Sequence, residues 1–554
     1  MKTKKKQFIR LLVCVLPVLI QLTSFAQGVI KAETGARIVS ETGSYWVLDN
    51  GAFTLSSPTA ATPVTMANLS IVSDASLTIP PSHYLTVTGT LANNAGNSGL
   101  VVNSDATGTG SLINGSVSVP ATVNRYITGA STAWHLLSSP LVAQAIGGGF
   151  TPAPSTSYDI FAWYELSGEW VNFKSTSSTS WTTANGNTNF TAGKGYLIAY
   201  LETNPTKQFQ GNLSAGSVTP ALTYSGTGTY KAYNLAGNPY PSAIDWKAAS
   251  GWTRSSLVAD GGGYVMSIWN DALSTGNYGV FNSAAISTSG TNGVTQYIPV
   301  GQGFMVEAAT AGTLGFTDAV RVHDAQQWLK SADAVANILR LKVDGNANTY
   351  SDEIVIEFGH ATADGGAEKM FSFYETAPSL YTVKPDGNYS IDFRGEPQAI
   401  AIPMGFKAGA DGNYTLTASQ IESFASSTQI TLEDLKLKTT QNLMQNPVYT
   451  FSSSKTDDGA RFLLHFGGAF SIGETETVQP ITIYSSGNTI YIANKSGALP
   501  KGNVTVYNMI GQPVMQRQIG DNLLTSIAFG GATGCYLVRV VTGQQVYSGK
   551  IFIN

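Results

Sequence analysis

The sequence predicts an all-β, multi-domain protein: a short β-solenoid, tandem β-sandwich-like repeats, a further β domain and a C-terminal Ig-like β-sandwich. Three observations predict it. Gly accounts for 58 of 554 residues, aromatics for 10% and charged residues for only 12%, a balance of turn and strand formers too apolar for general disorder. Apolar residues recur two positions apart in short runs, which buries one face of a strand. A set of motifs also returns after about 100 to 108 residues, the size of one sandwich domain. At a loose prior of about 150 residues per domain, the length suggests three to five domains.

Residues 1–26 read as a secretory signal. Lys2, Lys4, Lys5, Lys6 and Arg10 form a charged front, Leu11 to Ile20 an apolar run, and Ser24-Phe25-Ala26 the small residues around a cut between Ala26 and Gln27. Cys14 lies inside the run, but Val13 is not small and the apolar stretch ahead is short, which argues against a lipoprotein anchor. The mature chain then keeps only Cys535, so no disulfide forms within it and packing alone must stabilise it. Removing the five basic residues of the signal leaves 26 against 35 acids, a net charge of about −9 that repels nucleic acid and anionic lipid. No second apolar run approaches the roughly 20 residues of a membrane helix, so no transmembrane segment is expected after signal removal.

Along residues 27–127 the pairs Leu69/Ile71, Leu77/Ile79, Leu85/Val87, Leu100/Val102 and Val117/Val119 are separated by turn clusters such as Ala95-Gly96-Asn97-Ser98-Gly99. Short strands at near-regular spacing suggest a small solenoid, with Leu69, Leu77, Leu85 and Leu100 on stacked rungs; a meandering sandwich would leave a similar trace. In the next two segments, 128–232 and 233–325, Trp134 to Pro140 is echoed by Tyr233 to Pro239, Tyr158 to Tyr164 by Tyr264 to Asn270, and Phe190 to Tyr196 by Ile298 to Phe304. Gly195 should therefore overlie Gly303, and Trp163 should overlie Trp269. Gln326 to Lys330 breaks the strand pattern as a short helical linker. Strands resume over 338–467, with turns at Asp344-Gly345-Asn346, Pro385 to Asn388 and Asp411-Gly412-Asn413, as an antiparallel β domain. Residues 468–480 are polar, acidic and aperiodic, and read as an extended linker.

Residues 481–554 alternate apolar and polar over six or seven strands, which makes a small sandwich. The stretch from Gly502 to Val514 (GNVTVYNMIGQPV), the run from Gly534 to Val540 (GCYLVRV) and the terminal GKIFIN resemble the sorting domain of type IX secretion cargo. The resemblance is specific over about 15% of the chain. It implies that Gly534, Tyr536, Val538, Val540 and Lys550 belong to a sorting signal; Cys535 falls at a variable position of the pattern. It also implies an outer-membrane secretion translocon and a sortase-like peptidase as partners, with attachment to surface lipopolysaccharide or glycan and a location outside the cell reached through the periplasm. Such a module should fold independently, with few contacts to the preceding domain. Segments 104–140 and 234–246 are similar to stretches of large surface proteins of the same system, which suggest location and no activity.

Chemistry-bearing motifs are sparse. His83, His135, His323, His360 and His465 stand singly, without metal-ligand spacing. Gly147 to Gly149 and Gly261 to Gly263 precede no helix with a Lys-Ser/Thr pair, so they read as loops. Asp344 to Asn348 alternates oxygen ligands like a calcium loop, but Thr349 and Val355 stand where Gly and Glu belong. Asp245, Asp271, Asp352, Glu353 and Glu357 offer carboxylates for glycoside cleavage that sequence cannot pair. Trp163, Trp170, Trp181, Trp246, Trp252 and Trp269 suit sugar stacking or core packing, with packing favoured by the repeat. No catalytic residue, metal or cofactor is assigned. The leading reading is a non-enzymatic adhesive or structural surface protein, ahead of a carbohydrate-binding array and a polysaccharide-degrading enzyme.

Overall fold

The computed structural model describes residues 45–553, apart from 57–61, 132, 176–178, 227–231, 270–275, 325–336, 347, 362–364, 396–399, 468–480, 495–500, 509–510, 521 and 544. The signal segment with Ala26 and Gln27, the helical linker and the 468–480 linker lie outside the described residues. Described strands far outnumber helices, of which the longest α-helix is Trp181–Asn185.

The first hundred described residues wind as a solenoid with three faces. Strands Tyr45–Leu48, Asn68–Ile71 and Leu91–Asn93 stack in parallel on one face, and Val64–Met66, Tyr84–Val87 and Ser111–Asn114 on another. Gly51–Thr54, Ala75–Ile79, Leu100–Val102 and Pro120–Tyr126 form the third. Leu77 stacks on Leu100 and on Phe53. The expectation of one four-leucine stack needs correcting: Leu69 pairs Trp46 and Leu91, and Leu85 pairs Val64 and Leu112, on the other two faces. The physical reason is that each coil holds three short strands, bent at corners such as Pro80-Pro81. All four leucines still point into one core.

That core does not stop at residue 127. Strand Pro120–Tyr126 continues the third face and pairs antiparallel with Thr206–Asn212 of the next unit, which covers the open edge a solenoid would otherwise leave. Phe150, Phe190 and Phe209 join the solenoid leucines in a single cluster.

The two repeats have the same strand order. In the first, His135–Ser138 pairs Gly195–Tyr200, which pairs Tyr158–Tyr164; in the second, Tyr233–Gly237 pairs Gly303–Glu307, which pairs Gly263–Trp269. Register places Gly195 opposite Ser138 and Gly303 opposite Gly237, so the two glycines are equivalent. Phe161 opposite Leu197 and Ser267 opposite Met305 put Trp163 and Trp269 at equivalent positions two residues on.

The units face each other about a local pseudo-twofold. Ser138 N–H donates to the Gly301 carbonyl and Gly237 N–H to the Gly193 carbonyl, each at 2.9 Å; the bridges Leu137 to Gln302 and Ala236 to Lys194 repeat the exchange. Gly193 and Gly301 have φ of +79° and +68°, the left-handed conformation that favours glycine. Around this axis Leu136, Trp163 and Leu197 meet Leu235, Trp269 and Met305 in one apolar cluster. An isologous contact of this kind is what two copies of one surface make.

Residues 338–467 form one long sheet that closes over its own core, so that Phe358 meets Phe466 and Phe406 meets Phe451. Among the described residues its strand pairs are antiparallel except Ser351–Phe358 with Gly387–Arg394, which run parallel. That pair needs no tight turn, because the hairpin strand Ser379–Lys384 intervenes in the chain. Ile338, Val355, Ala367, Ile391 and Phe393 from this domain pack into the core of the second repeat.

Among the described residues the C-terminal module has seven strands in two sheets, Ile481–Ser486, Thr489–Asn494 and Leu524–Ala528 against Gly502–Tyr507, Pro513–Ile519, Gly534–Thr542 and Gln545–Ile553. It encloses its own core. The expectation of few contacts with the preceding domain is not met: Tyr484, Ala493 and Leu524 pack on Leu435 and Leu463. Apolar side chains on the outer face of the module's three-stranded sheet and on the facing side of the long-sheet domain drive that docking.

Candidate functional site

Strand Gly534–Thr542 lies at the centre of the four-stranded sheet, between Gly502–Tyr507 and Gln545–Ile553. Period two sends Tyr536, Val538 and Val540 inward, where all three join the module core. Tyr536 packs edge-on against Phe529 with ring centroids 4.8 Å apart, and its hydroxyl donates to the Ala532 carbonyl at 2.7 Å. The opposite face carries Cys535, Leu537, Arg539 and Val541, in register with Phe552, Lys550, Ser548 and Val546. Leu537 is 46% exposed, Val546 51% and Phe552 53%. Lys550 is exposed beside them, and Gly534 is half-buried at the start of the strand. The five residues singled out from sequence thus divide: three build the core, and Lys550 stands on an outer face that joins an apolar strip to two cations, Arg539 and Lys550.

The carboxylates considered for glycoside cleavage are dispersed and engaged. Asp352 is buried and pairs Lys369 at 2.5 Å, also accepting from the Leu380 N–H. Glu353 pairs Arg340 at 3.3 Å, and Glu357 accepts from His360 and from the Ile286 and Ser287 N–H groups. Asp245 accepts from the Lys247 N–H, and burial raises its pKa. Asp271 lies outside the described residues. The Asp344 loop is a hairpin turn in which Asp344 pairs Lys342. Among the described residues no group of three His, Cys, Asp or Glu side chains is placed to hold a metal ion.

Trp246 and Trp269 are fully buried, Trp163 and Trp181 nearly so, and Trp170 and Trp252 half-buried. They therefore pack the interior and do not form an exposed platform. His83 bonds the Pro81 carbonyl, His465 pairs Glu433, and His135 and His323 are held near pKa 4 by burial, with help from Arg125 and Arg321 respectively.

Sequence reading missed an acidic group at the seam between the second repeat and the long-sheet domain. Burial raises the pKa values of Asp260, Glu307 and Glu368; repulsion from Glu368 and Asp260 raises Glu307 further, and repulsion from Asp260 and Asp386 raises Glu368. Asp386 adds charge there, while Lys384 offsets it beside Asp260. Asp260 approaches Glu368 and Asp386 of the other domain where Gly261 lies against Phe393 and Gly366, and no local pattern signals that contact.

Among the described residues no helix is long and apolar enough to cross a membrane. A family model described as a domain of unknown function (DUF8693) matches residues 52–466. The minor fimbrium subunit Mfa5 of Porphyromonas gingivalis is 25% identical over 389 residues, covering 65% of this chain and 31% of that protein. This chain therefore spans about a third of that relative's length. A solved structure titled biofilm associated protein, BSP domain, aligns over 82% of this chain and 98% of its own at 7% identity, with a TM-score of 0.15.

Proposed function

Because the chain belongs to the family described as domain of unknown function DUF8693, whose description assigns no activity, we propose its role from its architecture and its relative: an adhesive or structural protein of the cell surface. The observation that carries this reading is the similarity to a fimbrium subunit over 389 residues. The fold is in keeping with it. A solenoid, two face-to-face repeats and a long sheet share apolar cores, which suits a protein that bears load outside the cell without disulfides.

Export runs, in this proposal, through the C-terminal module acting as a type IX sorting domain, read by an outer-membrane translocon and a sortase-like peptidase. The motif side chains Tyr536, Val538 and Val540 maintain the module's shape, and the strip of Leu537, Phe552, Arg539 and Lys550 on the outer face is the surface offered for recognition. Surface labelling of intact cells tests the route. The full chain should be labelled, and a chain lacking residues 481–554 should accumulate in the periplasm. Display of that truncated form at normal levels would show that the module is only another structural domain.

A further inference from the structure

The central strand of the module's three-stranded sheet, Thr489–Asn494, is buried on both faces. Ile490 and Ile492 point into the module's own core. Thr489, Tyr491 and Ala493 point the other way, yet their exposures are 4%, 3% and 0%. A sheet with one solvated face alternates buried and exposed, so two covered faces require a second layer. The preceding domain supplies it.

The cover is built from side chains that alternation turns away from that domain's core. On strand Ala460–Gly467, Phe462, Leu464 and Phe466 point inward, while Leu463 points out and is nonetheless 0% exposed. Leu463 and the outward Leu435 meet Tyr484, Ala493 and Leu524 of the module. Tyr484 lies stacked on Tyr491, its rings 5.2 Å apart, and its hydroxyl is buried near Glu433. At the rim, Arg394 donates to the Ser486 hydroxyl at 3.1 Å. On the long-sheet side Leu463 lies in register with Glu433, which pairs His465, so the apolar contact is flanked by a buried polar pair.

We propose that the module is held on the long-sheet domain by this face, so that cutting the chain between Gly467 and Ile481 does not by itself release it. The module is then a non-covalent cap over Leu435 and Leu463, and its departure uncovers an apolar surface on the exported body. The inference rests on the sorting-domain reading for its biological setting, because that reading supplies the cut, but the contact itself is independent of export.

The test uses the full chain with a specific protease site inserted between Gly467 and Ile481. After complete cleavage in native buffer, size-exclusion chromatography should show both fragments in one peak at the position of the uncut protein. Separate elution of the module would overturn the inference. Leu463→Asp and, as a milder change, Tyr484→Ser should each convert the single peak into two after cleavage. Retention of the far-UV circular dichroism of the uncut variants would show that the domains still fold. If both folded variants keep the module bound after cleavage, the retaining contact lies elsewhere and the assigned face is wrong. Failure of the truncated chain to reach the surface bears only on the sorting role, so the two ideas can fail separately.

Discussion

Asp352 and Lys369 form an ion pair whose side chains are 0% and 1% exposed. The Leu380 N–H and the Asn292 side-chain amide donate to the same carboxylate. Two charges taken out of water gain little net stability together, but removing one strands the other. Lys369→Met should therefore destabilise the protein by about 3–5 kcal/mol, read from the urea midpoint. The double change Asp352→Leu with Lys369→Met should recover most of that loss. A second effect at this scale is pH-dependent. Burial, with Arg125 and Arg321 nearby, lowers His135 and His323 to about 4 from 6.5. Because the folded state binds these protons less tightly than the unfolded chain, their contribution is fully present above pH 6.5 and is lost as pH falls toward 4. Each is worth on the order of 3 kcal/mol across that window. His135→Gln should flatten the stability profile between pH 6.5 and 4, and an unchanged slope would mean that the ring is charged in the fold.

At the level of elements, the pseudo-twofold between the repeats depends on close backbone approach at two glycines. A Cβ at Gly195 would meet the Ala236 carbonyl oxygen at 2.5 Å, and one at Gly303 would meet Leu136 and the Leu137 carbonyl at 3.1 Å. Gly195→Ala should cost about 1–3 kcal/mol through overpacking. Gly149, where a Cβ would meet nothing within 4 Å, should tolerate Ala within about 0.5 kcal/mol, and thermal unfolding of the two variants compares them. The repeat itself was legible: paired motifs such as AGKGY and VGQGF announce equivalent strands, and spacing two announces which side chains turn inward. Three features were not. Solenoid leucines at similar spacing cannot reveal whether a coil has two faces or three, because the corner turns use the same residues as hairpins. The parallel pair Ser351–Phe358 with Gly387–Arg394 joins strands separated by an intervening hairpin, and pairing partners at that distance leave no periodic trace. Leu463 looks like an outward residue of an amphipathic strand and Leu435 like a turn residue just after one, and only the placement of the module explains why they are apolar.

For the molecule as a whole, the cores do not follow the divisions that composition suggests. One cluster runs from Trp46 of the solenoid to Phe209 of the first repeat. A second joins the two repeats and reaches Met370 of the long-sheet domain. A third takes residues from both the second repeat and that domain, including Trp246, Phe304, Ile391 and Phe393. The long-sheet domain also keeps a core of its own, with Ile354, Ile356 and Leu464, on the other face of the strand that lends Val355 to the third cluster; among the described residues the module's core is separate from these and touches the rest through a small cluster. The family match over residues 52–466 spans this interlocked body and stops before the module. Shared cores couple unfolding, because opening one part exposes apolar surface belonging to its neighbour. The chain from 45 to 467 should therefore unfold in one calorimetric transition, with a smaller one for the module. Leu77→Ala in the solenoid and Leu464→Ala in the long-sheet domain each remove a buried leucine worth about 2–5 kcal/mol. Though the two residues sit at opposite ends of that body's sequence, both should lower the same large transition and leave the small one in place. If each variant moved a different transition, the body would be a string of independent domains, and the continuity of the three cores would have no energetic consequence.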